Sequence, residues 1–564
     1  MGQTAHESLF LDCNRVLRVA FAPLDLTETY MSVFELPEQL NAATVLVDAH
    51  HAAGRGAKTA ILCGDETVSY RQLAENVNRV GNALRTLGVR IEQRVAILMR
   101  DCPECVYAFF GAMKIGAVPI PINTVLGAKD YEYILNDSRA HVLVVEPAFL
   151  NMIMEIRGHL NFLEHIVVGE SGNGGPLILG ELMAKASPKL EAAKTTKDDA
   201  AFWLYSSGTT GYPKGTVHLH HDMIVSADAY ARDTIGMTEA DVSFSVAKLF
   251  FAYGLGNGLY FPMRIGGTTV LLPDRPMAEK SFEMVDRYQP TVFFGVPTSY
   301  AAMLHLAEKT DRTQLGRVRM CVSAGEPLPR PLLEKWKKRF GVDILDGIGS
   351  TEILHIYISN RPGKIRPGST GQIVPSYEAR IVDDDGKDLP PGHTGTLLIK
   401  GESVAAGYWN KHQQTKETFR GEWIDTHDKF SMDEDGFYWY AGRTDDMFKV
   451  SGLAVWPSDV EHVLQGHPAV LESGVIGVLD DDGLTKVRAY VVLKDGHPPT
   501  EELVRELQAF VKTNTAPHKY PRSILFVKDL PKTASGKIQR YKLRKAAHAS
   551  KHPDGVVAHL ELHA

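Results

Sequence analysis

The residues best suited to chemistry are concentrated in one stretch, Tyr205-Ser-Ser-Gly-Thr-Thr-Gly-Tyr-Pro-Lys-Gly215. Ser206, Ser207, Thr209 and Thr210 bring hydroxyls, Gly208, Gly211 and Gly215 an unencumbered backbone, and Lys214 a cation. Glycines let backbone N–H groups turn sharply and come close to a ligand. Successive N–H groups, hydroxyls and a cation together suit a polyphosphate. The order is not the GxxxxGK[ST] of a P-loop. A polar surface loop is the plainer alternative, but glycines and hydroxyls this dense rarely serve packing.

Four further stretches stand out by their side chains. Asp346-Gly-Ile-Gly-Ser-Thr-Glu352 ends in a carboxylate, and hard cations such as Mg²⁺ take oxygen ligands. Gly421-Glu-Trp-Ile-Asp-Thr-His-Asp428 ends in another. Tyr440-Ala-Gly-Arg-Thr-Asp-Asp-Met-Phe-Lys-Val-Ser-Gly452 mixes charge and glycine as a domain junction does. Leu530-Pro-Lys-Thr-Ala-Ser-Gly-Lys-Ile-Gln-Arg540 sets a lysine in a hydroxyl-rich turn. Each is weak alone; their order along the chain gives them weight.

Taken together, these stretches resemble the motifs of the adenylate-forming superfamily: acyl- and aryl-CoA synthetases, firefly luciferase and peptide-synthetase adenylation domains. The resemblance runs in motif order from about residue 40 to about residue 545. It implies ATP, Mg²⁺ and coenzyme A as ligands. Ser206, Ser207, Gly208, Thr209, Thr210, Gly211 and Lys214 would hold the phosphates. Gly325, Glu326, Pro327, Asp346, Gly347 and Ile348 would line the adenine, Thr351 would meet the α-phosphate and Glu352 the Mg²⁺. Asp428 and Arg443 would bind the ribose, Asp445 would be a hinge, Ser451 and Gly452 would border the CoA path, and Lys537 would be the catalytic lysine. Two positions depart from the usual pattern. Ile348 stands where an aromatic residue is usual, and His427 where a glycine is usual.

Within the superfamily, Lys248-Leu-Phe-Phe-Ala-Tyr-Gly-Leu-Gly-Asn257 and Gly347-Ile-Gly-Ser-Thr-Glu-Ile-Leu-His-Ile356 look most like benzoate-CoA ligases. By that likeness Phe251, Ala252, Tyr253, Ala324, Gly349, Leu354 and His355 line an aryl pocket. His355 would donate a hydrogen bond to the carboxylate or to a ring substituent; the alternative is a helix-start residue satisfied by backbone. The implied activity is ATP-dependent conversion of an aromatic acid, benzoate first, to its adenylate and then its CoA thioester. A substituted benzoate, loading of a carrier protein, and a nucleotide-sensing protein with a dead site are the alternatives; intact Lys537, Glu352 and Asp428 speak against the last. The lysine's Pro-Lys-x-x-x-Gly-Lys setting also implies a lysine acetyltransferase and deacetylase as partners.

The elements that must position these residues read as an α/β fold. Short apolar runs such as Thr59–Cys63, Val95–Met99, Val142–Val145, Ile166–Val168 and Ala200–Leu204 predict buried parallel strands, with helices between them. The resemblance implies a large N-terminal domain of stacked, largely parallel sheets with a small barrel-like subdomain over residues 1–442, a hinge over 443–449, and a small mobile α+β domain over 450–564. The end, from about Lys551, reads as a loose tail.

Bulk properties bound the rest. The 564 residues are 44% hydrophobic and 23% charged, as in a soluble globular protein. A net charge of −7 argues against a general binder of nucleic acid or anionic membrane. No apolar run reaches transmembrane length, the N-terminus lacks a secretory pattern, and five cysteines imply no disulfide framework. A cytoplasmic monomer or homodimer is the expectation. Cys102-Pro-Glu-Cys105 is a CxxC without a second pair, and Arg100–Pro103 reads as a helix start. His218 and His220 alternate toward one face, which raises a metal site; a chain turning into a helix is the preferred reading.

Overall fold

The computed structural model describes residues 35–169, 177–206, 212–443, 446–450, 453–480, 484–532, 538–548 and 556–561. Among these, two mainly parallel sheets form the centre. One runs in the order Val118–Pro121, Arg94–Leu98, Val142–Val145, His165–Val168, Leu177–Ile178, with every pairing parallel. The other runs Gln372–Ile373, Ile356–Ser359, Ile344–Gly349, Met320–Ser323, Val292–Gly295, Val242–Ser245, Thr268–Leu271, Thr59–Cys63, Glu66–Ser69. Its middle pairings are parallel and its edges antiparallel. Val142–Val145 and Val292–Gly295 are apolar and buried at every position because both faces of their sheets are covered.

Two helices fill the space between the sheets. Tyr70–Thr86 begins at a capping box in which Ser69 and Gln72 satisfy each other's backbone N–H. Pro103–Lys114 starts from Cys102 as N-cap with proline in the first turn, as expected. The helices cross at Gly81 and Gly111, where an added Cβ on Gly111 would lie 3.0 Å from the Gly81 nitrogen. Burial pushes the Cys102 and Cys105 thiols well up, so neither is a thiolate at neutral pH and the CxxC is structural.

Two antiparallel units flank the centre. Gly407–Tyr408, Lys214–Leu219 and Ala200–Ser206 form a three-stranded sheet. Tyr377–Val382, Gly395–Gly401, Trp423–Met432, Phe419–Arg420 and Tyr438–Arg443 form a five-stranded one. Beyond it lies an α+β unit with its own core, including Val460, Leu464, Val475, Val487, Leu507 and Ile524. Its sheet runs Val470–Leu479, Thr485–Leu493, Ser523–Val527, Val556–Glu561. The chain's end therefore differs from the loose tail expected. Val556–Glu561 pairs antiparallel with Ser523–Val527, satisfying the backbone groups of that sheet edge. No helix among the described residues is long and apolar enough to cross a membrane.

The central sheet and the antiparallel subdomain are joined at Gly371, whose carbonyl accepts the Tyr438 N–H at 2.7 Å. Gly371 has φ +105°, and a Cβ there would lie 1.9 Å from the Ser359 carbonyl carbon. Gly371→Ala is expected to cost about 3 kcal/mol through strain and displacement of this junction. A urea midpoint equal to that of the parent protein would contradict this account.

Candidate functional site

The strands of the nine-stranded sheet end together. Met320–Ser323 and Ile344–Gly349 are parallel neighbours with Ser323 opposite Asp346. The first runs into Ala324-Gly325-Glu326-Pro327, where Gly325 takes φ +90°; the second into the turn Thr351–Ile353. Carboxyl ends of parallel strands are where open α/β sheets bind ligands. Asp346 Oδ1 and Ser323 Oγ are buried there without a hydrogen-bond partner among the described residues. Burial holds the Asp346 carboxyl well above the usual carboxylate range. Ile348 is partly buried against the same core, an apolar wall where an aromatic one was usual.

The turn Thr351–Ile353 is held from outside by three consecutive carbonyls. Thr351 O lies 2.8 Å from His218 Nε2, Glu352 O accepts the Ala405 N–H at 2.8 Å, and Ile353 O accepts the Ser403 hydroxyl at 2.9 Å. The Glu352 carboxylate accepts the Tyr408 hydroxyl at 2.7 Å. Lys214 Nζ sits 4.0 Å from the centre of the same Tyr408 ring, a cation–π contact. Burial pulls the Lys214 pKa down, Glu352 pushes it back up and Arg443 lowers it. Tyr408 thus connects two predicted site residues. Sequence reasoning missed it, since a tyrosine in Gly407-Tyr-Trp409 has no spacing that marks a ligand.

Asp428 and Arg443 are cross-strand partners on Trp423–Met432 and Tyr438–Arg443, with Arg443 Nη1 3.6 Å from Asp428 Oδ1. His427, in place of the usual glycine, adopts φ +57°. The chain keeps the left-handed turn a glycine would make and pays about 1 kcal/mol for a side chain there. Asp425 Oδ1 accepts the His427 N–H at 2.8 Å, and Thr426 Oγ1 the Asp428 N–H at 3.2 Å, so local side chains hold the bend. Burial pushes the Tyr357 hydroxyl well up, Asp428 and Glu352 push the same way, and Arg443 opposes them. Tyr357 too was missed, hidden in an apolar strand.

Of the expected aryl-pocket residues, Tyr253 and His355 are in contact, their rings 5.5 Å apart. Phe251 precedes the short helix Ala252–Leu255, and Tyr253 donates its hydroxyl to Gly295 O and Val322 O, both at 3.1 Å. Ala324 and Leu354 belong to the core against which Ala252 and Tyr253 pack. At Gly349 a Cβ would meet the His355 carbonyl oxygen at 2.5 Å, so only glycine fits. His355 does not start a helix. It follows Leu354, itself at φ +74°, into the strand Ile356–Ser359. Its Nε2 lies 3.1 Å from Asn257 Oδ1 and 3.3 Å from Tyr253 O, both acceptors, so Nε2 carries the proton. The expected donor is already used by the protein. Nδ1 remains as a buried acceptor without a partner among the described residues. Burial pushes the ring down to about 3, so it is neutral.

Ser207, Gly208, Thr209, Thr210, Gly211, Asp445, Ser451, Gly452 and Lys537 lie outside the described residues. The ends of their segments are defined. Ser206 closes one hairpin strand and Lys214 opens the next, paired with each other. Among the described residues, His218 and His220 belong to no group spaced for a metal ion. Lys214–Leu219 is a strand rather than part of a helix, which starts only at Asp222. His218 is bonded to Asp222, and His220 Nδ1 accepts the Ala42 N–H at 3.1 Å. Among the described residues His141, Glu164 and His165 are spaced for a metal ion, at the amino ends of their strands, away from the Thr351 turn.

The model of the AMP-binding enzyme family matches residues 49–409, and that of its C-terminal domain residues 459–537. The chain is an AMP-binding enzyme. It is 50% identical over 514 residues to a benzoate–CoA ligase of Thauera aromatica, covering 91% of this chain and 97% of the relative. It is 45% identical to a 4-hydroxybenzoate–CoA/benzoate–CoA ligase of Rhodopseudomonas palustris, covering 90% and 94%. Among solved structures, an anthranilate CoA ligase in complex with anthranoyl-AMP matches with TM-score 0.88 and 45% identity over 91% of this chain and 98% of that one. A benzoate CoA ligase from Burkholderia xenovorans LB400 matches with TM-score 0.83 and 45% identity, covering 89% and 99%.

For an AMP-binding enzyme, Glu352 fits Mg²⁺: that ion uses one or two carboxylates and takes its other oxygens from phosphates and water. The same enzyme keeps several histidines neutral by burial, His50 and His220 at about 4 and His355 at about 3. Their unfolded value is near 6.5, so between these pH values the unfolded chain binds more protons than the native one. Stability is fully present above pH about 6.5 and is lost as pH falls toward 4, by about 1.4 kcal/mol per pH unit per histidine. His220→Asn keeps an acceptor for Ala42 and removes the proton site. Its urea midpoint between pH 6.5 and 4 is expected to fall less steeply than the parent's; parallel curves would contradict the assignment.

Proposed function

We propose that this AMP-binding enzyme is an acid–thiol ligase that activates an aromatic carboxylic acid, benzoate foremost, with ATP and transfers it to coenzyme A. The observation that supports the reading is the apolar surround that Ala252, Tyr253, Ala324 and Leu354 share, with the neutral His355 ring against Tyr253. The benzoate and hydroxybenzoate ligases among its relatives support it.

In the first step a carboxylate oxygen attacks the α-phosphorus and the bond to pyrophosphate breaks. Ser206–Lys214 hold the phosphates, Thr351 meets the α-phosphate, and Asp428 and Arg443 hold the ribose. Glu352 would hold Mg²⁺, which when bound would neutralise charge on the phosphates. Lys537 balances the charge that develops between carboxylate and α-phosphate. In the second step the CoA sulfur attacks the acyl carbon, along a path bordered by Ser451 and Gly452, and AMP leaves with the C–O bond electrons. Residues 443–449, with Asp445 as hinge, let the C-terminal domain turn between steps. The work is done in the cytoplasm by a monomer or homodimer. A substituted benzoate is the second reading, favoured by the buried acceptor Nδ1 of His355, which an amino or hydroxyl substituent satisfies.

A panel of benzoates and medium-chain fatty acids, assayed for CoA-dependent AMP formation, tests the reading. Benzoates are expected to react; AMP from fatty acids alone would overturn it. In the same assay Ala252→Phe is expected to raise KM for benzoate about tenfold, because overpacking a tight site costs about 1–3 kcal/mol.

Lys537→Ala is expected to lose adenylate formation by about 10²–10³-fold yet to convert presynthesised benzoyl-adenylate to the thioester. Single-turnover assays of the two half-reactions check this, and equal loss of both would remove Lys537 from its role. Acetylation of Lys537 removes the same charge, which makes a lysine acetyltransferase and deacetylase its proposed regulators.

A further inference from the structure

The hairpin that opens with Lys214 has a second contact with the site, one that touches no ligand. His218 lies four residues on, in the strand Lys214–Leu219, and is fully buried. Its ring stacks on Phe202 of the paired strand at 5.0 Å and 14°. Its Nδ1 lies 2.7 Å from Asp222 Oδ2, an oxygen that also accepts the Leu219 N–H at 3.1 Å. Its Nε2 lies 2.8 Å from the carbonyl oxygen of Thr351. A carbonyl only accepts, so Nε2 donates to it. Asp222 and Phe202 fix the ring's orientation, and the ring fixes the carbonyl.

The turn that receives this bond needs holding. Leu354, a bulky residue at its end, has φ +74°, a conformation that persists only where surroundings over-determine it. The carbonyls of Glu352 and Ile353 are held by Ala405 and Ser403, outside the hairpin. The Thr351 carbonyl is bonded by a side chain of the hairpin itself.

We propose that the buried His218–Asp222 pair is a positioning device for adenylate formation, which locks the Thr351–Glu352 turn in register with the phosphate-loop hairpin. The proposal rests on the aryl-ligase reading above. A phosphate chain spanning Lys214 and Thr351–Glu352 is sensitive to any slip between the two segments, and misplacement by about 1 Å can cost about a hundredfold in rate. Thioester formation from a finished adenylate no longer uses the pyrophosphate-binding part of that register.

The test compares His218→Leu with His218→Gln, whose amide nitrogen falls near Nε2 and can still donate to Thr351. Wild-type protein is assayed first with ATP, Mg²⁺ and the benzoate panel. Absence of any aryl adenylate there defeats the functional reading, whatever the role of the pair. With activity established, His218→Leu is expected to lower kcat/KM for adenylate formation about a hundredfold, with the larger change in the ATP dependence. Conversion of presynthesised benzoyl-adenylate to benzoyl-CoA is expected to stay within about twofold of wild type, and His218→Gln to recover most of the loss. Equal loss in both half-reactions, unchanged adenylation in His218→Leu, or no recovery in a folded His218→Gln would each overturn the proposal. If His218→Leu does not fold, His218→Asn, too short to reach Thr351, takes its place in the same comparison with the same outcomes.

Discussion

The site depends on how one short turn is held. Thr351–Ile353 leaves the end of a buried strand, and all three of its carbonyls are bonded by segments distant in sequence: His218, Ala405 and Ser403. The carboxylate of Glu352 is bonded in turn by Tyr408, whose strand pairs with the strand carrying Lys214. The three-stranded sheet therefore does more than carry the glycine-rich loop. It sets where the turn sits relative to the loop, and buried hydrogen bonds of this kind are costly to leave unmade.

Two of the eight non-glycine residues with positive φ among those described lie beside the site. Leu354 and His427 both take positive φ, one at the end of the Thr–Glu turn and one beside Asp428. Each is bulky enough to make that conformation unfavourable, and each is held by neighbours: Leu354 by the turn's own bonds, His427 by the Asp425 carboxylate. Strain of this kind aims a following residue, and here the following residues are His355 and Asp428.

The aryl side of the site is governed by burial rather than by charge. His355 is packed among Tyr230, Tyr253, Tyr260 and Phe261 and held neutral. A neutral ring with its donor engaged brings no positive charge to its surroundings. The cations Lys214 and Arg443 lie instead near Glu352 and Asp428.

Much of this was legible in the residues alone. Apolar runs bounded by turns marked many of the parallel strands, because strands buried on both faces are predominantly apolar. The helix start at Arg100–Pro103 was readable because a first-turn proline acts within a few residues. The glycine-rich stretch, the Thr–Glu pair and Asp428 were visible as local clusters. What only the tertiary structure decided lies in pairs far apart in the chain: Tyr408 on Glu352, His218 on Thr351, His355 against Asn257. His218 looked like a metal ligand or the approach to a helix because its true partner is more than a hundred residues away. His355 looked like a donor until its neighbours turned out to be acceptors. A local pattern records what a residue can do; which of its hydrogen-bonding atoms remain for a ligand depends on what packing places against it.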